Sequence, residues 1–257
     1  MRFSIGLLCA SLVLCSAAVL TAQDATHAPD FRAQERIAPL YFPPVADAPF
    51  SAIAHTTWVR TLPDGSSETH ENARVVARDS DGRIFQERRT FVPVPNPTNQ
   101  QSITRATQYD DPVAHVTYFC LPGAKVCNAF PLVTVPDREL PAGLQPDGTT
   151  YLTRENLGVD TFAGLDVVRT RETFTFYRAS VGNTKTILRT VDYWYSAALG
   201  VNVQVKRHDP RDGDQTLWLS NIVESAPEEL WFQVPAAYQI IDHRGPAPMR
   251  SETGQPQ

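Results

Sequence analysis

Apolar and polar residues alternate at every position along Val201-Asn202-Val203-Gln204-Val205-Lys206. A strand turns successive side chains to opposite faces, so this period of two commits the segment to a sheet buried on one side. The rest of the chain follows suit. Residues 52–62 are rich in Thr and end at Pro63-Asp64-Gly65, a hairpin signal. Residues 68–78 read as the return strand, Asp79-Ser80-Asp81-Gly82 as the next turn, and residues 83–91 as a third strand. Pro93, Pro95 and Pro97 then impose a loop or an edge excursion. Shorter strands are expected over 103–109, 114–120 and 125–132, followed by a long loop over 135–148. Strands over 166–177, 188–196 and 214–223 flank the alternating segment, with turns at 197–200 and 209–213. Ser225-Ala226-Pro227-Glu228 reads as a capping box that opens a short helical turn. Strands recurring about every 10–14 residues predict a mainly β fold with little helix, one antiparallel meander that is curved or closed.

The first 22 residues have another character. Arg2 precedes an uncharged apolar run from Ile5 to Leu20, and small residues around Ala22 follow. That is the layout of a cleaved secretory signal, with an uncleaved membrane anchor as the alternative, and it takes the chain out of the cytoplasm. Residues 23–50 form an irregular lead-in, because Pro39, Pro43, Pro44 and Pro49 break every candidate helix. Residues 51–241 read as a single β-rich domain and 242–257 as a flexible C-terminal tail. Loss of Arg2 with the signal leaves 22 of the 23 basic residues against 28 acidic ones, a net charge of −6. A nucleic-acid partner is disfavoured, since it would require a positive stripe. No further apolar segment reaches the length of a membrane span, so none is expected in the mature chain.

Few residues advertise chemistry. Cys120 and Cys127 are the only cysteines after the signal and flank Leu-Pro-Gly-Ala-Lys-Val. If Gly123-Ala124 is a two-residue loop, they face each other across two strands, and an oxidising compartment would join them as a structural disulfide. The six histidines (27, 55, 70, 115, 208 and 243) show no ligand spacing, and the Asp-Gly turns lack a full set of calcium ligands, so no metal is expected. No nucleophile elbow, phosphate loop or dinucleotide glycine run is present, so neither catalytic residues nor a cofactor are assigned and the chain does not read as an enzyme.

Parity extends the strand argument. If Val191, Tyr193 and Tyr195 pair with Val205, Val203 and Val201 across the 197–200 turn, they share a face, and Leu217 and Leu219 join them. Asn202, Gln204 and Lys206 would then face water. This apolar wall is either core or a ligand surface.

Several segments carry a resemblance: Val76-Ala-Arg-Asp-Ser-Asp-Gly-Arg83, Asp111-Pro-Val-Ala-His-Val116, Glu155-Asn-Leu-Gly158, Asp192-Tyr-Trp-Tyr-Ser196, Lys206-Arg-His-Asp-Pro-Arg-Asp-Gly213 and Trp231-Phe-Gln-Val-Pro-Ala-Ala-Tyr238. With them the chain resembles an uncharacterised family of exported bacterial β-rich proteins. That family is distantly similar to the outer-membrane lipoprotein-sorting carriers, the LolA-like superfamily. The resemblance implies a curved half-barrel with an apolar concave side closed by helical segments, lipid chains held on that side, and no catalytic residues. The chain departs from those carriers in offering little helix to act as a lid. The expectation is therefore a non-catalytic envelope protein that binds a lipid or other amphipathic ligand on the concave face. The alternative is a structural or interaction module with an envelope protein partner and no small-molecule ligand.

Overall fold

In strand β1 (Phe50–Thr61), every second side chain from Phe50 to Trp58 is buried, and those between are half-buried. The computed structural model describes residues 26–28, 37, 39–134 and 140–245. The expected export signal, the tail from residue 246 onward and residues 135–139 of the long loop lie outside the described residues. After β1 come β2 (Ser67–Arg78), β3 (Ile84–Arg89), β4 (Val92–Pro93), β5 (Thr104–Asp111), β6 (Val116–Leu121) and β7 (Val126–Pro131). The second half holds β8 (Gly143–Leu144), β9 (Thr150–Phe162), β10 (Leu165–Phe176), β11 (Ile187–Ser196), β12 (Val201–Asp209), β13 (Gly213–Val223) and β14 (Gln239–Asp242).

These strands make one open, curved half-barrel sheet in the order β14-β7-β6-β5-β3-β2-β1-β13-β12-β11-β10-β9-β8, with β4 beside β2. The pairing is antiparallel throughout, except that β14 runs parallel to β7. Two local meanders meet at β1, which pairs with β2 on one side and with β13 on the other. The seam joins distant sequence: Ala54 lies opposite Leu219, and His55 opposite Trp218.

The ladders define an inner face. Ala54, Arg74 and Leu219 share it, as do Thr56, Asn72 and Leu217. The main core gathers there, including Phe50, Val76, Leu152, Val191, Val203, Val205, Leu217 and Leu219. Among the described residues, parts of the lead-in cover this face. Leu40 and Phe42 belong to the same core, and Arg78 donates to the Pro43 and Ala48 carbonyls at 2.9 and 3.0 Å. Extended chain thus takes the place of the helical closure that the resemblance implied. It can do so because the prolines forbid helix while leaving carbonyls free to accept bonds from Arg78.

The outer face carries a smaller cluster. Tyr109, Cys120 and Cys127 are buried there with Phe85, Tyr118, Val234 and Tyr238 against them. The segment after β13 supplies this cover. It includes a single 3-10 turn, Glu229–Phe232, whose N-cap Glu228 makes no side-chain capping bond, so the expected capping box does not form. Glu229 is tied instead to Arg83 at 2.5 Å, and Trp231 meets Phe85 edge-on. Asp242 and His243, expected in a flexible tail, are held to β7, where the His243 amide donates to the Ala129 carbonyl at 2.8 Å.

Cys120 and Cys127 sit opposite each other in the β6–β7 hairpin and form a disulfide, Sγ–Sγ 2.00 Å, with their Cα atoms 3.9 Å apart. The turn is the wider stretch 122–125 and not two residues, because Leu121 and Val126 are the last pair of the ladder. Replacing both cysteines with alanine should lower stability by about 2–3 kcal/mol, the loop-closure value for so short a ring. Urea unfolding measures this, and an unchanged midpoint would refute a stabilising role.

Candidate functional site

Of the expected wall, Val191, Tyr193, Val201, Val203, Val205, Leu217 and Leu219 are all buried in the main core, and Tyr195 is half-buried. The expected pairing changes in detail. Tyr193 lies opposite Val205 rather than Val203, Val191 opposite Arg207 and Tyr195 opposite Asn202, with a register shift between Trp194 and Tyr195. A bulge inserts Val203 without a partner of its own, which breaks strict alternation. Asn202 consequently does not face water. It is 3 % exposed, and its side-chain amide exchanges two hydrogen bonds with the backbone of Ala28 at 3.1 and 3.2 Å. Lys206 is exposed, as the alternation predicts, whereas Gln204 is only half-exposed.

The open space lies beside that wall. A cavity of about 720 Å³ sits between lead-in residues 37 and 39–44 and the inner face of β2, β3, β5, β6 and β7. That volume falls within the range of small-molecule sites, roughly 300–1,000 Å³. None of the expected wall residues lines it. Its roof is apolar, with Ile37, Leu40 and Phe42, and its far wall is Phe119, Phe130, Leu132 and Val133. Its floor is polar: Asn72, Arg74, Gln86, Arg88, Gln108, Asp110 and Thr117.

The floor is tightly organised. Arg74 donates to Gln86 Oε1 at 2.7 Å and to the Leu40 carbonyl at 3.4 Å, under the ring of Phe42. Burial pushes its pKa down to about 9, with Arg88 adding to the effect. Arg88 donates to Gln108 Oε1 at 2.6 Å, and Gln108 donates in turn to Asp110 at 2.8 and 3.0 Å. Burial raises the Asp110 carboxyl above its ordinary range, against the bonds from Gln108 and Thr117. Asn72 donates to the Arg89 carbonyl, while its Oδ1 is buried without a partner.

Sequence reasoning missed this floor because β2 inverts the usual polarity. Asn72, Arg74 and Arg78 are buried while Ala73 is exposed. Hydropathy alone turns the arginines outward. The available signal was the clustering of polar residues at every second position on adjacent strands, Asn72 and Arg74 beside Gln86 and Arg88.

A second polar group lies away from the cavity. His27 stacks on Tyr193 at 3.9 Å, and its Nε2 lies 3.3 Å from Glu172 Oε1, which Arg154 also contacts. Burial acts to raise the Glu172 carboxyl, but His27 and Arg154 outweigh it and hold the group below its ordinary 4.5. The geometry fastens the lead-in to β10 and β11. Because the folded value is depressed, the stabilisation is complete above the ordinary carboxylate range and is lost as the pH falls through the depressed value. Glu172→Gln should therefore cost about 3 kcal/mol near pH 7, leaving Arg154 and His27 short of their partner, and much less near pH 3. Urea midpoints at the two pH values test this, and an equal loss at both would contradict it.

On the outer face, His55 Nε2 lies 2.7 Å from Ser220 Oγ with its ring stacked on Trp218. Burial lowers its pKa, with Glu71 working the other way. Among the described residues, no group of three or more His, Cys, Asp or Glu is placed to hold a metal ion, and no helix is long and apolar enough to cross a membrane.

No family model and no curated protein matches the chain. Among solved structures, the chain is similar to an uncharacterized conserved protein from Thermus thermophilus, at 10% identity and a TM-score of 0.40, with 76% of this chain and 90% of that one covered. It is similar to the MucA/MucB complex structure of Pseudomonas aeruginosa at 13% identity and a TM-score of 0.34, covering 74% of this chain but only 58% of that one. A third is a domain assigned to outer membrane lipoprotein sorting in Vibrio parahaemolyticus, at 10% identity and a TM-score of 0.30, covering 72% and 89%.

Proposed function

We propose that this is an exported, non-catalytic envelope protein that binds an amphipathic ligand in the cavity between its lead-in and the inner face of the sheet. The observation that carries the reading is the cavity of about 720 Å³, apolar above and polar below. Such a space suits a molecule with one apolar and one polar part, since each part then meets a matching wall. The core wall from Val191 to Leu219 supports the site as a rigid scaffold and does not touch the guest. The disulfide and the signal-like first 22 residues support the exported location.

The test has two parts. Native mass spectrometry of protein purified from its own envelope should show added mass that organic solvent releases. Calorimetric titration with decanol, a neutral amphiphile, should show binding to the emptied protein. Absence of both would end the reading. A second reading, an interaction module, is favoured by one feature: β14 is an edge strand whose four residues are all exposed, Ile240 and Ile241 among them. An open edge can accept a partner strand. A stoichiometric envelope partner, with no ligand retained or bound, would select it.

A further inference from the structure

Strand β9 pairs with β10 on one side along its whole length, from Thr150 to Phe162. On its other side β8 pairs only with Tyr151 and Leu152, and Gln145 donates its amide to the Thr150 carbonyl at 2.8 Å. Over residues 153–162 no strand lies against that side among the described residues. The amides and carbonyls along such an edge can take an added strand.

The neighbouring side chains define which strand would fit. On the outer face, directly opposed residues carry charges of alternating sign across four strands: Glu155 on β9, Arg171 on β10, Asp192 on β11 and Lys206 on β12. Opposite charges across neighbouring strands stabilise a sheet, and like charges destabilise it. Arg171 is committed to Asp192, to which it donates at 2.6 and 2.7 Å. Glu155 ends the series at the open edge. It is exposed, and no hydrogen bond or ion pair holds its side chain among the described residues. The next place in the series, on an added strand, calls for a cation. Four residues along, Val159 stands 85 % exposed, the highest value among the large apolar side chains described.

A second copy of this chain does not supply that cation. The strands at the two ends of its sheet are β8 and β9 at one and β14 at the other. Their only basic residue is Arg154, which is bound to Glu172 on the face opposite Glu155. A bulge also bends this edge: Leu157 has no partner on β10, and Asn156 Oδ1 accepts from the Gly158 amide at 2.7 Å. A bent edge resists indiscriminate stacking and favours one fitted strand.

We infer that the open edge of β9 takes an extended segment of a different protein as an added strand, with Lys or Arg opposite Glu155 and an apolar side chain beside Val159. No β9 residue lines the cavity, so this surface works independently of any guest there.

An NMR titration of the full mature chain with three blocked peptides tests it: Thr-Val-Thr-Lys-Thr-Val-Thr, and the same peptide with Glu or Gln in place of Lys. The Lys peptide should shift the amide signals of residues 153–162. It should bind about five- to tenfold more tightly than the Glu peptide, with the Gln peptide between, as one cross-strand charge pair implies. Glu155→Lys, an exposed change whose folding circular dichroism checks, should reverse the order of the Lys and Glu peptides. That reversal separates pairing at Glu155 from the general pull of an acidic protein on a cationic peptide. Equal binding of all three, or an order unchanged by Glu155→Lys, would overturn the inference, as would shifts confined to β14 or no binding at all. Slow hydrogen exchange at the edge-facing amides of the free monomer would also overturn it, because the chain's own residues would then cover the edge. A dimer in sedimentation with those amides protected would give the edge to a second copy and overturn it as well.

Discussion

A Val203→Asp variant should fail to fold near pH 7. Val203 is fully buried in the main core, in the company of Val205, Leu217 and Leu219. An aspartate there would lose the valine's packing and bury a carboxylate with no cation shaped to receive it. The idealised cost of desolvating such an ion is of order 20 kcal/mol and the effective one several kcal/mol, against a typical domain stability of about 5–15 kcal/mol. Circular dichroism and urea unfolding check the outcome. The same residue offers a choice between two roles. Had the alternating strand formed the ligand surface, the variant would fold and lose ligand; because it forms core, the variant should unfold. A folded Val203→Asp protein would contradict the packing described above. Val203→Ala, which only opens a small void, should fold with a loss of about 2 kcal/mol.

Arg78→Ala should produce the second large loss, about 3–5 kcal/mol, and release the lead-in. Arg78 is completely buried, which is rare for an arginine. Its guanidinium donates to the Pro43 carbonyl, to the Ala48 carbonyl from two nitrogens, and to the Leu199 carbonyl, and it stacks on Phe50 at 5.1 Å. Burial pushes its pKa down to about 10, so it remains charged at neutral pH. Alanine would remove the donor from the Ala48 and Leu199 carbonyls, at roughly 1–3 kcal/mol each, and leave the Pro43 carbonyl with the Val45 amide alone, with partial recovery from water that enters the gap. In a chain of this size each kcal/mol lowers Tm by about 2–4 °C, so the drop should reach roughly 10 °C. Limited proteolysis should then cut near residues 37–49 faster than in the parent. Arg78→Lys should recover little, because one ammonium cannot reach all three carbonyls in a plane. A Tm within a degree or two of the parent would show that these bonds do not hold the lead-in.

Several features of this fold were readable one segment at a time. The strict alternation of residues 201–206 predicts a strand, and β12 forms there; Pro63-Asp64-Gly65 predicts the first hairpin, and β1 and β2 flank it. The cysteine pair was readable because its two members lie seven residues apart on neighbouring strands. What these have in common is locality: the backbone preference and the hydrogen-bond partner both sit within about a dozen residues. β9 escaped notice for the opposite reason. Its sequence Thr150–Phe162 is mostly exposed, shows no sustained alternation, and is held by its pairing with β10.

The sequence by itself determined a β-rich chain of antiparallel hairpins and its disulfide, because periodicity and turn residues act through nearby atoms. Only the tertiary structure decided which face is inside and what covers it. The seam brings His55 to Ser220 across 165 residues, the lead-in seals the core through Leu40, Phe42 and Arg78, and β2 turns Asn72 and Arg74 inward to floor a cavity. Those outcomes depend on partners far away in sequence. An arginine in a strand is outward in water or inward among carbonyls at similar local cost, and only the assembled neighbours settle which.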